Sequence, residues 1–228
     1  MAADDLLPIS LFLNAEVLIS SRSMQLIIAT TNFHKILELK AMIRSKFKEI
    51  EIFSLKDFPD YEMPEEIGNT FSEIAEAKAL HGARALGFYT IADDSGLVVP
   101  SLNGEPGIYS RRYAGENASD KENREKLIQK LKEIKDENRF AYFECALSLC
   151  SPDYVVKTIS AVSEGHLLLE ARGRNGFGYD PLFIKHDYNK TFAELDEDVK
   201  NRISHRRKAF DKLTPYLENE LLKLISTS

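Results

Sequence analysis

The stretch IADDSGLVV, residues 91–99, sets two carboxylates side by side at the end of an apolar run, followed by a hydroxyl and a glycine. FYTIA before it reads as a strand and LVVPSL after it as another, and the Asp, Ser and Gly between them favour a turn for local backbone reasons. A solvated turn needs no further role. The alternative is a metal site: Mg²⁺ takes one or two protein carboxylates and keeps several waters, and a neighbouring carboxylate can orient or deprotonate an attacking water. Adjacent side chains of a strand point to opposite faces, so only a turn would let Asp93 and Asp94 face one ion.

Working outward, QLIIAT (residues 25–30) is a short buried strand, and Ile36, Leu39, Ile43 and Phe47 then recur at helical spacing. IEIFSL is a second strand by alternation. NTFSEIAEAKALHGARALG reads as a helix, with Thr70 and Glu73 as a capping box and Gly87 at its end. Ser119 and Glu122 form a second capping box before the charged helix NREKLIQKLKEI. RFAYFECALSLC and YVVKTISAVSEG flank SPD as a hairpin, and HLLLE and PLFIK add short strands. The chain closes on the helix HRRKAFDKLTPYLENELLKLI, with Ser204 as its cap and Pro215 as a kink or break. The pattern predicts an α/β fold, a mixed sheet flanked by helices, in one unit over residues 24–228.

Composition bounds the function. The 228 residues are 43% hydrophobic and 29% charged, which is the composition of a globular chain with a substantial core. A formal net charge of −6 argues against a nonspecific hold on nucleic acid, yet a pocket can be locally positive on an acidic protein. Residues 1–23 are moderately apolar but carry Asp4 and Asp5 and are interrupted by Pro8, Ser10 and Asn14. They make a poor signal peptide and too short a membrane span, and read as an extension of unknown role. Cys145 and Cys150 lie in one strand on opposite faces, without a C-x-x-C pattern, and read as buried thiols of a cytoplasmic protein.

Four further clusters accompany the acidic pair. ATTNFHK (residues 29–35) runs from strand to helix, where backbone N–H groups and Lys35 could meet an anion; Thr31 or Asn32 as a plain helix cap is the simpler reading. Glu65 and Glu66 lie in a loop before a helix. GRNGFGYDPLF, residues 173–183, surrounds Phe177 and Tyr179 with glycines, which permit a tight loop presenting an aromatic face; stacking on a base is worth roughly 1–3 kcal/mol. KNRISHRRKAF, residues 200–210, supplies Lys200, His205, Arg206, Arg207 and Lys208.

Taken in order, ATTNFHK, EEIGNTFSEIAEAKA, ADDSGLVVPSLNGEPGIYSRRYAG, GFGYDPLF and the TFAEL to SHRRKAF segment resemble the inosine triphosphate pyrophosphatase family, from about Gln25 to the final helix. The resemblance implies an elongated α/β fold of two lobes with a nucleotide cleft between them, in a homodimer. It implies hydrolysis of non-standard purine nucleoside triphosphates (ITP, dITP, XTP) to the monophosphate and pyrophosphate, with Mg²⁺ as cofactor and no nucleic-acid or membrane partner. By the same resemblance Thr30, Thr31, Asn32, Phe33, His34 and Lys35 would hold the phosphates. Asp94 would bind Mg²⁺ and accept the proton of water, with Asp93 beside it and Glu65 or Glu66 as a further metal ligand. Ser95 would contact substrate, Phe177 would stack on the base, and Gly178, Tyr179 and Asp180 would shape its slot. Lys200, His205 and Arg206 would contact the base edge or the phosphates. Donors there would pair with the 6-oxygen of inosine or xanthosine and be left unpaired by adenine, which is costly in a buried site.

Three positions depart from the family's pattern: Thr31 and His34 replace glycines in the first loop, and Ile74 replaces an amide side chain. They motivate two alternatives, a nucleotide-binding regulator with weakened catalysis and a pyrophosphatase for modified pyrimidine nucleotides. The first predicts binding without product; the second predicts a different substrate panel.

Overall fold

The computed structural model describes residues 24–226; the expected extension 1–23 lies outside them. One mixed six-stranded sheet organises the chain, in the order β2-β1-β3-β4-β5-β6. Its strands are β1 (Met24–Ile28), β2 (Ile50–Ser54), β3 (Tyr89–Val98), β4 (Phe140–Cys150), β5 (Val155–Leu167) and β6 (Phe183–Lys185). β1 pairs in parallel with both β2 and β3, whereas β3–β4, β4–β5 and β5–β6 are antiparallel. β3 is therefore the seam between a parallel and an antiparallel half.

The turn expected at Asp93–Gly96 does not form. β3 is one continuous strand, with Asp93 opposite Leu147 and Asp94 opposite Ala146 of β4. The long partner strand pairs with β3 in unbroken antiparallel register from Thr90 to Val98, and this pairing outweighs the local turn preference of Asp, Ser and Gly. Gly96 serves a close approach instead. A Cβ there would lie 2.4 Å from Ser110 Oγ and 2.5 Å from the Gly107 carbonyl oxygen, because the 3-10 turn Gly107–Arg112 packs against the strand.

Among the described residues five α-helices flank the sheet: α1 (Phe33–Lys46), α2 (Phe71–Leu86), α3 (Asp120–Leu131), α4 (Glu197–Ile203) and α5 (His205–Ser226). Ile36, Leu39 and Ile43 of α1 share a core with Leu26, Ile28, Ile91 and Leu147, to which α5 adds Phe210, Leu213 and Leu217. α2 covers the opposite face through Ala79, Ala83 and Leu86. A second large cluster joins Leu97, Phe143, Phe183 and Phe192 beneath α3. Cys145 and Cys150 fall in different clusters, as their spacing predicts.

The helix ends follow local chemistry. Ser119 and Glu122 make both halves of their capping box. At α2 the Thr70 hydroxyl accepts from Glu73 N–H, but the Glu73 carboxylate takes the N–H of Asn69 (2.8 Å), one residue outside the expected box. Gly87 adopts the left-handed conformation at the α2 terminus. Pro215 does not break α5, which runs through it while Leu213, Leu217 and Leu221 stay buried on one side. Burial of that stripe offsets the missing hydrogen bond.

Candidate active site

Asp93 and Asp94 are neighbours on β3, so their side chains leave the sheet on opposite faces and enter two different networks. Only a turn would let both face one ion, and the pleat of the continuous strand separates them instead. On the α1–α5 face, Asp93 accepts from Arg206 Nε (2.8 Å), Ser95 Oγ (3.1 Å) and Cys145 Sγ (3.0 Å), and forms an ion pair with Lys35. Arg206 completes its planar fork on Ser95 Oγ (2.8 Å) and on the Glu38 carboxylate. Both charges are only 1% exposed. Burial alone would raise the Asp93 carboxyl, but Arg206 and Lys35 outweigh it and hold it well below the usual carboxylate range. Asp93 is thus a permanent anion that anchors two cations.

On the α2 face, Asp94 accepts from Lys78 Nζ at 2.9 Å. The same ammonium pairs with Glu66, whose other oxygen accepts from Arg112 Nη1 at 2.8 Å. Burial pushes the Asp94 carboxyl up, against the pull of Lys35 and Lys78. Glu66 goes the other way: burial is outweighed by Lys78 and Arg112, and its carboxyl is drawn down to about 2. Lys78 stays protonated, because Asp94 and Glu66 outweigh the burial that would lower it.

The third wall is the loop before β6. Phe177 N–H donates to Asp180 Oδ2 (2.9 Å), Gly178 N–H donates to Asp120 Oδ2 (2.7 Å), and Tyr179 Oη donates to the Ser110 carbonyl (2.9 Å). A Cβ at Gly176 would meet Asp180 Oδ2 at 2.1 Å, so the loop closes this tightly only with glycine there. Lys200 Nζ bridges Asp180 Oδ2 (2.6 Å) and Glu38 Oε1 (3.2 Å) and sits 4.7 Å from the Phe177 ring centroid. Ser204 Oγ accepts from Arg207 N–H (3.2 Å) and caps α5, placing His205 and Arg206 on its first turn. The Arg206 charge at that end opposes the helix dipole, an arrangement that Asp93 and Glu38 offset.

A single cleft joins these groups. Thr30, Thr31, Asn32, Lys35, Glu66, Asp93, Asp94, Ser95, Phe177, Gly178, Tyr179, Asp180, Lys200, His205 and Arg206 all line it. Of the expected site residues, Phe33, His34 and Glu65 do not. Side chains on a helix turn by about 100° per residue, so Lys35 reaches the cleft while Phe33 swings out under Lys56 and His34 stacks on Phe177. The N–H groups of His34 and Lys35 are already taken by the Asn32 side chain (3.0 and 3.2 Å), the plain helix cap. Arg207 and Lys208 also turn away, to Asp211 and to the Val162 carbonyl.

His205 lies flat on Phe143, with ring centroids 4.9 Å apart. Burial, reinforced by Arg206, holds it well below the usual histidine range, so its ring is neutral at pH 7. Its Nδ1 is buried without a hydrogen-bond partner. A buried polar atom without a protein partner calls for a water or a ligand atom to satisfy it.

Sequence reasoning missed Lys78, Glu38, Ser110 and Arg112. Lys78 and Glu38 each sit among the buried positions of an amphipathic helix, beside Ile74, Ala75 and Ala79 in α2 and beside Ile36, Leu39 and Met42 in α1. A charge in an apolar register is the signal that could have found them, since buried charges are paired or functional. Ser110 and Arg112 belong to a 3-10 turn whose docking no periodicity reveals.

Among the described residues no cluster of three or more His, Cys, Asp or Glu is placed to hold a metal ion, and no helix is long and apolar enough to cross a membrane. Comparison with known proteins agrees with the geometry. The model of the Ham1 family matches residues 26–216. A dITP/XTP pyrophosphatase of Protochlamydia amoebophila is 56% identical over 197 residues, covering 86% of this chain and 98% of that protein. The Ham1 protein of Staphylococcus aureus superposes with a TM-score of 0.75 at 42% identity, covering 86% of this chain and 99% of that one. A HAM1 protein from Coxiella burnetii superposes with a TM-score of 0.77 at 37% identity, with the same coverage. With most of its length matched in sequence and in backbone, this chain belongs to the Ham1 family.

Proposed function

We propose that this chain hydrolyses the non-standard purine nucleoside triphosphates dITP, ITP and XTP to the nucleoside monophosphate and pyrophosphate, clearing them from the nucleotide pool. One observation carries the reading: a carboxylate raised by burial, Asp94, faces the same cleft as a cluster of cations and an aromatic plate. The activity in the name of the Protochlamydia relative supports it.

In this reading Asp94 is the proton acceptor. A carboxyl shifted upward is a stronger base than an ordinary one, and proton removal from water by such a group contributes roughly 10²–10⁴-fold. Water attacks the α-phosphorus, the bond from that phosphorus to the bridging oxygen breaks, and pyrophosphate leaves. Lys35 and Lys78, from two sides of β3, meet the phosphate charge. Phe177 takes the base on the side that borders the cleft, and Asp180 holds that ring's backbone in place. Asp93 is a positioning residue, since its oxygens are committed to Arg206, Lys35, Ser95 and Cys145.

The cation implied by the family fits the donor set. Mg²⁺ uses one or two carboxylates and completes its shell with phosphate oxygens and water; Asp94 and Glu66 converge on one ammonium, so two acidic groups already share a point of positive charge. Those two residues would hold it, and Glu65, outside the cleft, would not. When bound, the ion supplies neutralisation of the triphosphate and orientation of its oxygens.

Base choice follows from His205. Its neutral ring offers one donor and one acceptor, and the orphaned Nδ1 awaits a partner. With the ring proton on Nδ1, a 6-oxo purine accepts from it, whereas the 6-amino group of adenine sets two donors face to face. A cytoplasmic homodimer is the setting proposed for this chemistry, with no nucleic-acid or membrane partner.

The test is a substrate panel with Mg²⁺, scored by product. dITP and XTP should yield monophosphate and pyrophosphate, with dATP slower by orders of magnitude. Inorganic phosphate as first product overturns the bond assignment, binding without product indicates the regulator, and preference for modified pyrimidines indicates the other hydrolase.

A further inference from the structure

The Phe177 ring has two faces in two different spaces. It borders the main cleft, and it also borders a smaller cavity on its other side that is lined by His34, Leu37, Asn175 and Leu195. His34 is absent from the main cleft wall, yet its imidazole lies parallel to Phe177, with centroids 5.1 Å apart and planes 10° from coplanar. The ring is therefore a partition with an imidazole plate behind it.

We infer that His34 is a positioning residue for substrate, backing the Phe177 ring so that the side bordering the main cleft is held in place for an incoming base. The inference rests on the purine triphosphate reading. The backbone of Phe177 is already pinned by Asp180 through its N–H (2.9 Å), and its carbonyl accepts from Asp180 N–H (3.2 Å), so the remaining freedom is ring rotation. A half-buried side chain changes rotamer rapidly unless something packs on it. His34 supplies the one aromatic plate in that packing among the described residues, beside the Lys200 ammonium at 4.7 Å and the Arg206 guanidinium at 6.0 Å from the ring centroid, and its own backbone is tied by the Asn32 cap at 3.0 Å. Lys35, the next residue on the same turn, pairs with Asp93 on the cleft floor. One rigid helical turn thus sets both the phosphate end and, through Phe177, the base end of the site. Fixing a ring in its bound orientation beforehand lowers the ordering cost of binding.

The experiment compares wild type, H34A and H34F on dITP with Mg²⁺, and uses inorganic tripolyphosphate, which has no base, as a competitor. H34A should raise KM roughly threefold to tenfold, the equivalent of one stacked aromatic pair, with kcat changed by less than about twofold. H34F, which keeps a flat plate, should restore KM. The inhibition constant of tripolyphosphate should stay constant across all three proteins. An unchanged KM in H34A, or failure of H34F to rescue it, overturns the inference. A tripolyphosphate constant that rises in step with KM assigns His34 to the phosphates instead and overturns it too. Wild-type protein that turns over neither dITP nor XTP overturns the pyrophosphatase reading itself, so the two failures are distinct.

Discussion

Asp94 is the residue on which the proposed chemistry turns, and its surroundings can be tested by a single atom change. Asp94→Asn keeps an oxygen for Lys78 Nζ but removes the base, so turnover of dITP should fall by roughly 10²–10⁴-fold while the urea midpoint stays close to wild type. Activity that survives this change would move the proton acceptor elsewhere. Asp93, one peptide bond away, has the opposite character: fully buried and held anionic by Arg206 and Lys35. Their adjacency was legible in the sequence because two acids interrupt an apolar run. Their division of labour was not, because it depends on which face of the sheet each side chain enters. Lys78 was harder still, since a lysine in a helix is normally a solvated group and only the neighbouring α2–β3 packing buries it against Asp94.

Elements set the tolerances of the site. β3 carries the acidic pair, and the Gly107–Arg112 turn is packed on Gly96 so closely that Ser110 Oγ accepts from Leu97 N–H at 3.0 Å. Gly96→Ala must push that turn outward, because one of the atoms its Cβ meets is a backbone oxygen. A loss of about 1–3 kcal/mol in urea unfolding is expected, together with a raised KM, since Arg112 moves off Glu66. α5 is tied to the sheet at its far end: Glu220 accepts from Tyr89 Oη (2.8 Å) and Tyr154 Oη (2.9 Å). Burial would raise the Glu220 carboxyl, but Lys223 and the two tyrosines draw it below 4.5. A depressed carboxyl stabilises fully above the unfolded value and loses that contribution as pH falls through the folded one. Glu220→Gln should therefore melt below wild type at neutral pH, with the gap closing as pH drops below 4.5. A gap independent of pH would remove the charge from the account.

At the scale of the whole molecule, the cleft draws on the β1–α1 turn, α2, β3, the loop before β6, α4 and α5, which lie on both sides of the parallel–antiparallel seam. A ligand touching all of them binds only the folded chain. Asp94→Asn protein, which holds the triphosphate intact, should gain about 2.7 kcal/mol of stability at a hundredfold excess of dITP over Kd, read as one cooperative shift in melting temperature. Chelating the divalent cation should diminish that shift, and an unchanged melting temperature at saturating dITP would separate the cleft from nucleotide binding. The sequence by itself determined β1, β2, α1, α2, α3 and α5, the caps at Ser119 and Ser204, and the family, because hydrophobic period, capping residues and motif order are local properties of a chain. Only the tertiary structure decided that Asp93 and Asp94 serve opposite faces, that Lys78 lines the cleft while Glu38 pairs with its Lys200 and Arg206, and that His34 stacks on Phe177. Each depends on which distant elements pack together, and sheet pairing and burial are settled by the whole core, not by any short run of residues.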